Sequence, residues 1–190
     1  MKIDMRAIGG DTVLAGAING KQLFAKLLSA TTREPPNPER VFLDFSGVDV
    51  ATASLLRESV LNFRDFVRRQ RSNFYPVVAN ANDAIKDELR ELVGPPRNDV
   101  VIVCLLDESG VVSDVNLIGN LEPTQKRTFD IVCGLGETDA GELMRAHGKE
   151  ERITRPTAWN NRLTSLTLLG LLMEISRGRA KRYKPLFEGG

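Results

Sequence analysis

The sequence predicts an α/β domain over residues 1–120, followed by a smaller domain of three helices and a hairpin over residues 121–190. Three observations carry this. Short β-branched and aromatic runs alternate with amphipathic helical segments in the first part, the pattern of a layered sheet-and-helix domain. Past Glu122 the texture changes to helical periodicity closed by a basic hairpin. Charge is also uneven: residues 153–190 hold seven Lys/Arg against two Glu, a net +5, and the whole chain is +1, which leaves −4 for residues 1–152. Such asymmetry points to a polyanionic partner for the basic part.

The front of the chain, MKIDMRAIG and DTVLAG, reads as two short strands. Residues 19–30 read as a helix burying Leu23, Leu27 and Leu28, and TTREPPNPER, with three prolines, as an exposed loop. Residues 41–45 form a compact strand that leaves through Ser-Gly. From Thr52 the chain places Leu55, Leu56, Val60, Phe63 and Val67 at helical intervals, with Thr52 or Ser54 available to cap the helix. A strand over 74–79 leads to a helix opened by Asn80 or Asn82, carrying Ile85, Leu89 and Leu92, and stopped at Gly94 and two prolines. NDVVIVCLLDESGVVSDVNLIG then reads as a hairpin turning at residues 107–110.

These residues carry a family likeness. VFLDFSGVDVATASLLRESVLNF resembles the central strand, loop and helix of STAS and STAS-like domains, the anti-sigma factor antagonists, and the likeness extends from the first strand to about Gly119. It implies a STAS-like layered fold and a partner-docking or sensing role, with an ATPase-type kinase or an anti-sigma factor as partner. In those proteins a serine at this helix start is phosphorylated. Here Thr52 aligns with the family's aspartate, Ala53 with the phosphorylated serine and Ser54 with the serine that follows. Ser54 and Thr52 are therefore candidates for phosphorylation as well as for helix capping.

In the second part, PTQKRTFDIVCGLG reads as a helix with Phe129, Ile131, Val132 and Leu135 inward. ETDAGELMRAHG reads as a second, capped by Thr138, with Ala140, Leu143 and Met144 apolar. A third opens at Thr154 and Pro156, runs to Leu169 and stops at Gly170. Its inward residues are Ala158, Leu163, Leu166 and Leu169, with Trp159 packing. LLMEI, SRGR and AKRYKPL form a two-stranded ribbon with Gly178 at its tip and Tyr183 as an anchor.

TAWNNRLTSLTLLGLLMEISRGRAKRYKP closely resembles the recognition helix and wing of bacterial winged helix-turn-helix regulators, over residues 125–187. The likeness implies double-stranded DNA as partner, binding as a homodimer, with the helix over 123–135 as linker or dimer element. Thr157, Asn160, Asn161 and Thr164 are expected to face the major groove, where Asn reads adenine bidentately. Arg155, Arg177, Arg179, Lys181 and Arg182 are expected on phosphates or in the minor groove. Arg162 stands equally as a DNA contact or as the partner of an acid within the domain.

Other functions are disfavoured. Phosphate-loop, dinucleotide, nucleophile-elbow and zinc-protease motifs are all missing. Asp44 with Asp49, and Asp107 with Glu108, read as solvated carboxylates at strand ends, so no catalysis is expected. One histidine, His147, and two cysteines in apolar runs, Cys104 and Cys133, argue for buried thiols and against a metal site or cofactor. No run of apolar residues is long enough to span a membrane, and the first residues lack a signal's apolar core, so a cytoplasmic location is expected. Expected overall is a DNA-binding regulator. The alternatives are a partner-switching protein whose winged helix contacts proteins, or a non-specific DNA-binding accessory of a genome-defence system.

Overall fold

The computed structural model describes residues 1–190 apart from Pro96, Asn98, Gly178, Arg179, Gly189 and Gly190, and only the backbone of Ser176, Arg177 and Ala180. The chain divides into two compact units, Met1–Asn120 and Leu121–Gly190.

Unit 1 opens with β1 (Lys2–Asp4) and α1 (Met5–Gly9), then β2 (Val13–Leu14) and α2 (Ala17–Ala30). The strand expected over MKIDMRAIG is therefore only three residues long. The Asp4 carboxylate accepts the Ala7 N–H at 3.0 Å and starts a helix that buries Met5 and ends at Gly10, whose φ of 87° only glycine adopts without strain. β3 (Glu39–Asp44) and β4 (Val50–Ala51) follow. Next come α3 (Ala53–Leu56), a π-helical turn (Arg57–Leu61) and α4 (Asn62–Arg69) as one continuous rod, then β5 (Phe74–Ala79), α5 (Asp83–Val93), β6 (Val100–Leu106) and β7 (Val112–Gly119).

The main sheet has the order β1-β3-β5-β6-β7, parallel except for the β6–β7 hairpin, while β2 pairs only with β4. Every parallel crossover advances in one direction, so right-handed connections place the helices on one face. The core agrees: Val41, Leu43, Val78, Val101 and Val103 from alternate strand positions pack with Leu23, Leu27, Leu55, Leu56, Ile85 and Leu89 from the helices. Leu28, expected inward, is half-buried at the margin. The π turn lies where Gly20 of α2 presses on the rod. A Cβ at position 20 would stand 2.8 Å from both the Leu55 carbonyl oxygen and the Glu58 Cβ. On β7 the register slips between Val103 and Leu105 on its partner, with Asp114 at a left-handed φ of 49°.

Unit 2 comprises α6 (Pro123–Leu135), α7 (Ala140–His147), α8 (Pro156–Leu168), β8 (Leu172–Arg177) and β9 (Ala180–Pro185). β8 and β9 form an antiparallel hairpin, and Thr138 adds a bridge to Tyr183 as a third, one-residue strand. Thr138 is thus fully buried in sheet pairing. The cap of α7 falls one residue later, to a reciprocal box between Asp139 and Glu142. Val132, Ala140, Leu143, Trp159, Leu163, Leu166, Leu171, Leu172 and Tyr183 are buried. α6 buries Thr128 and Val132, whereas Phe129 and Ile131 are half-buried and Leu135 is 53% exposed, contrary to the inward position expected of it. Among the described residues no helix is long and apolar enough to cross a membrane.

Candidate nucleic-acid interface

α8 begins at Pro156, where a missing N–H costs nothing, and ends before Gly170, whose φ is 79°. Trp159, Leu163, Leu166 and Thr167 are its buried residues, a stripe one turn apart, with Ala158 and Leu169 only half-buried. Trp159, not Ala158, is therefore the anchor of the first turn. Its Nε1 is buried without a hydrogen-bond partner among the described residues.

The opposite face of α8 carries Thr157, Asn160 and Asn161, all exposed, and Thr164, half-buried. Their spacing of three, one and three residues makes one continuous stripe of hydrogen-bonding side chains with no carboxylate. Arg155 is exposed at the N-cap position and makes no side-chain capping bond. By contrast, both α6 and α7 begin in complete capping boxes that supply a carboxylate.

Arg162 points away from the stripe. Its Nη1 lies 2.8 Å from Glu151, and its guanidinium sits 5.1 Å over the Trp159 ring. Arg127 of α6 reaches the same Glu151 and also Glu150, so one carboxylate ties α6, the α7–α8 connection and α8 together. These guanidinium hydrogen bonds, Arg162's foremost, hold the Glu151 carboxyl below the usual glutamate range.

Two of the hairpin's described cations, Arg182 and Lys181, are engaged by acids. Arg182 is clasped by Glu142 at 3.0 Å, Glu137 at 2.6 Å and Asp139 at 3.4 Å. Its bonds to Glu142 and then to Glu137 push its pKa up, and in return it holds the Glu142 carboxyl low. Lys181 pairs diagonally with Glu174 at 2.7 Å, two register steps along the ladder from its own partner Ser176. Arg179 lies outside the described residues, and of Arg177 only the backbone at the end of β8 is described. Sequence reading passed over Arg145, Lys149 and Arg152, all exposed around the α7–α8 connection. The signal was present in KEERI, whose two acids mask its cations in a simple charge count.

In unit 1 the candidate residues Thr52 and Ser54 lie at the start of α3, both half-buried. Thr52 holds the N-cap position, but its hydroxyl makes no capping bond; it accepts the Gly16 N–H at 3.2 Å and lies 3.3 Å from the Ser54 hydroxyl. The capping acceptor is Glu88 of α5, which takes the Ala53 N–H at 2.6 Å. A carboxylate thus already fills the place where a phosphate would meet this helix end.

Asp44 is not the solvated strand-end acid that its position suggests. It is buried at the end of β3, with Lys2 Nζ at 2.7 Å and hydrogen bonds from the Ser46 N–H and hydroxyl and from Asn80 Nδ2. Burial pushes its pKa up, but Lys2 and these donors outweigh that and hold it below the usual carboxylate range. Asn80, at a left-handed φ of 55°, also exchanges two bonds with the Leu106 backbone. The described polar contacts of this cluster join β1 to the ends of β3, β5 and β6. Among the described residues no group of His, Cys, Asp and Glu is placed to hold a metal ion.

Among known proteins, no family model, no curated protein and no solved structure matches this chain.

Proposed function

We propose that the protein is a DNA-binding regulator in which unit 2 is a winged helix-turn-helix that lays α8 in the major groove. The observation that carries this is the face of α8 formed by Thr157, Asn160, Asn161 and Thr164, uncharged, hydrogen-bonding and turned away from the Trp159–Leu163–Leu166 stripe. An uncharged polar face suits base edges, because carboxylates there would be repelled by the flanking phosphates. The order of helix, bridge, two helices and hairpin, with Thr138 on Tyr183, supports the winged-helix assignment.

Unit 1 would then be the STAS-like sensing or docking half. Its mixed sheet, with parallel crossovers advancing in one direction, an antiparallel edge strand β7 and helices on one face, supports that assignment.

Selection of bound sequences from a random duplex library tests the proposal. Enrichment of an adenine-containing motif is expected, and Asn160→Ala and Asn161→Ala should each relax the preference at one position, by about 1–3 kcal/mol. If neither variant alters the selected motif, α8 is not the reading element. If no duplex is retained even at low salt, unit 2 does not bind DNA.

A further inference from the structure

We propose that the phosphate grip of unit 2 lies on the α7–α8 connection, through Arg145, Lys149, Arg152 and Arg155, and that Arg182 of the hairpin is an internal strut. The proposal rests on DNA being the partner and specifies which cations meet its backbone.

Between Arg145 and Thr164 the chain carries five Lys/Arg and two carboxylates. Both carboxylates are drawn off: Glu151 by Arg162 and Arg127, Glu150 by Arg127 with His147 beside it. The remaining four cations are exposed and make no ion pair among the described residues. Arg155 is the N-cap residue of α8, Lys149 and Arg152 lie on the connection that leads into it, and Arg145 lies in the last turn of α7, so a duplex meeting Thr157 and Asn160 is expected to bring its phosphates to this stretch of chain.

The connection is also built to hold them still. Glu151 N–H bonds the His147 carbonyl, Ile153 N–H bonds the Gly148 carbonyl at 2.8 Å, and Arg152 sits in a left-handed turn at φ 54°. Gly148 permits this closeness, since a Cβ there would fall 2.4 Å from the Met144 carbonyl oxygen and 2.9 Å from that of Ile153. Cations fixed on a tight backbone lose less freedom on binding than cations on a loose loop.

Arg182 is placed for the opposite duty. Its three acids come from the α6–α7 link and the start of α7, so its side chain ties β9 to the body of the unit. Taking it to a phosphate would withdraw this guanidinium from Glu137, Asp139 and Glu142, beside a polyanion.

Fluorescence anisotropy with a short labelled duplex of mixed sequence tests this, at several salt concentrations between about 50 and 200 mM. For Lys149→Gln/Arg152→Gln/Arg155→Gln we expect affinity to fall about tenfold or more, and the slope of log K against log salt to flatten by about 2–3. Arg182→Gln, checked by circular dichroism and measured where it is folded, should lower the melting temperature and leave the slope unchanged. An unchanged slope in the triple variant would overturn the proposal while DNA binding stood. So would a flattened slope in Arg182→Gln. Failure of the unaltered protein to bind duplex would remove the DNA assignment itself.

Discussion

The Arg64 guanidinium lies 2.7 Å from the Asp99 carboxylate, both buried, joining α4 to the residue that precedes β6 across thirty-five positions of sequence. Arg64 also donates to the Val100 carbonyl oxygen and to Asp65, so each N–H aimed at this corner has an acceptor. Removing Arg64 leaves the buried Asp99 carboxylate with the longer ion pair to Arg97 at 3.7 Å and the Val100 N–H, and losing the close partner of a buried charge costs more than the pair contributes. Arg64→Met should therefore destabilise unit 1 by about 3 kcal/mol, and Asp99→Asn by less, because an amide still accepts a hydrogen bond. Urea denaturation would show this as a lower midpoint at constant m.

Glu151 makes unit 2 acid-sensitive in a defined direction. Its folded pKa lies below the unfolded one, so its contribution is fully present above the ordinary glutamate value of about 4.3 and is lost as pH falls through the folded value. Glu151→Gln should lower the melting temperature at neutral pH, and the difference from the unaltered protein should shrink as pH drops below about 4. A difference that stays constant down to pH 3 would assign the loss to packing rather than charge.

The bond from the Ala53 N–H to Glu88 joins α3 to α5. Glu88→Ala should cost about 1 kcal/mol, the usual value of a lost capping acceptor. A carboxylate at residue 54 adds like charge beside Glu88, so Ser54→Asp should destabilise unit 1, and Ser54→Asp/Glu88→Gln should recover part of the loss. Absence of recovery in thermal melts would show that the two positions are uncoupled.

Cys104 is buried, and burial pushes its thiol up to about 11. At pH 8 its thiolate fraction is about a hundredfold below that of a free cysteine. Half-buried Cys133 is raised too, by burial and the nearby Asp130. In Cys133→Ser protein, reaction of Cys104 with a disulfide reagent should be slow until urea unfolds the chain. Rapid reaction of the native variant would mean that the sheet opens locally.

Much of the element order was legible because it is written in short-range periodicity. Leu55, Leu56, Val60, Phe63 and Val67 are all buried, and so are Ile85 and Leu89. What escaped is mostly long-range or polar. Nothing near Asp44 announces Lys2, forty-two residues earlier, and nothing near Arg182 announces acids forty or more positions back. A strand was expected where Met5–Gly9 is helical, because the local apolar pattern cannot weigh a capping aspartate against a ladder partner. For the candidate site, the alternation of buried and exposed positions on α8 followed from the leucine spacing. Which cations remain unengaged did not, since that depends on where each carboxylate is drawn in the folded chain.

The slip on β7 bears on how molecules of this protein meet one another at high concentration. β7 is an outermost strand, and an outermost strand with regular spacing is a template on which another chain's backbone can pair. The left-handed residue Asp114, whose carboxylate accepts from Asn116, breaks that spacing midway. A neighbour attempting to zip along the edge would lose register within a few residues, so the irregularity guards against fibrous self-assembly.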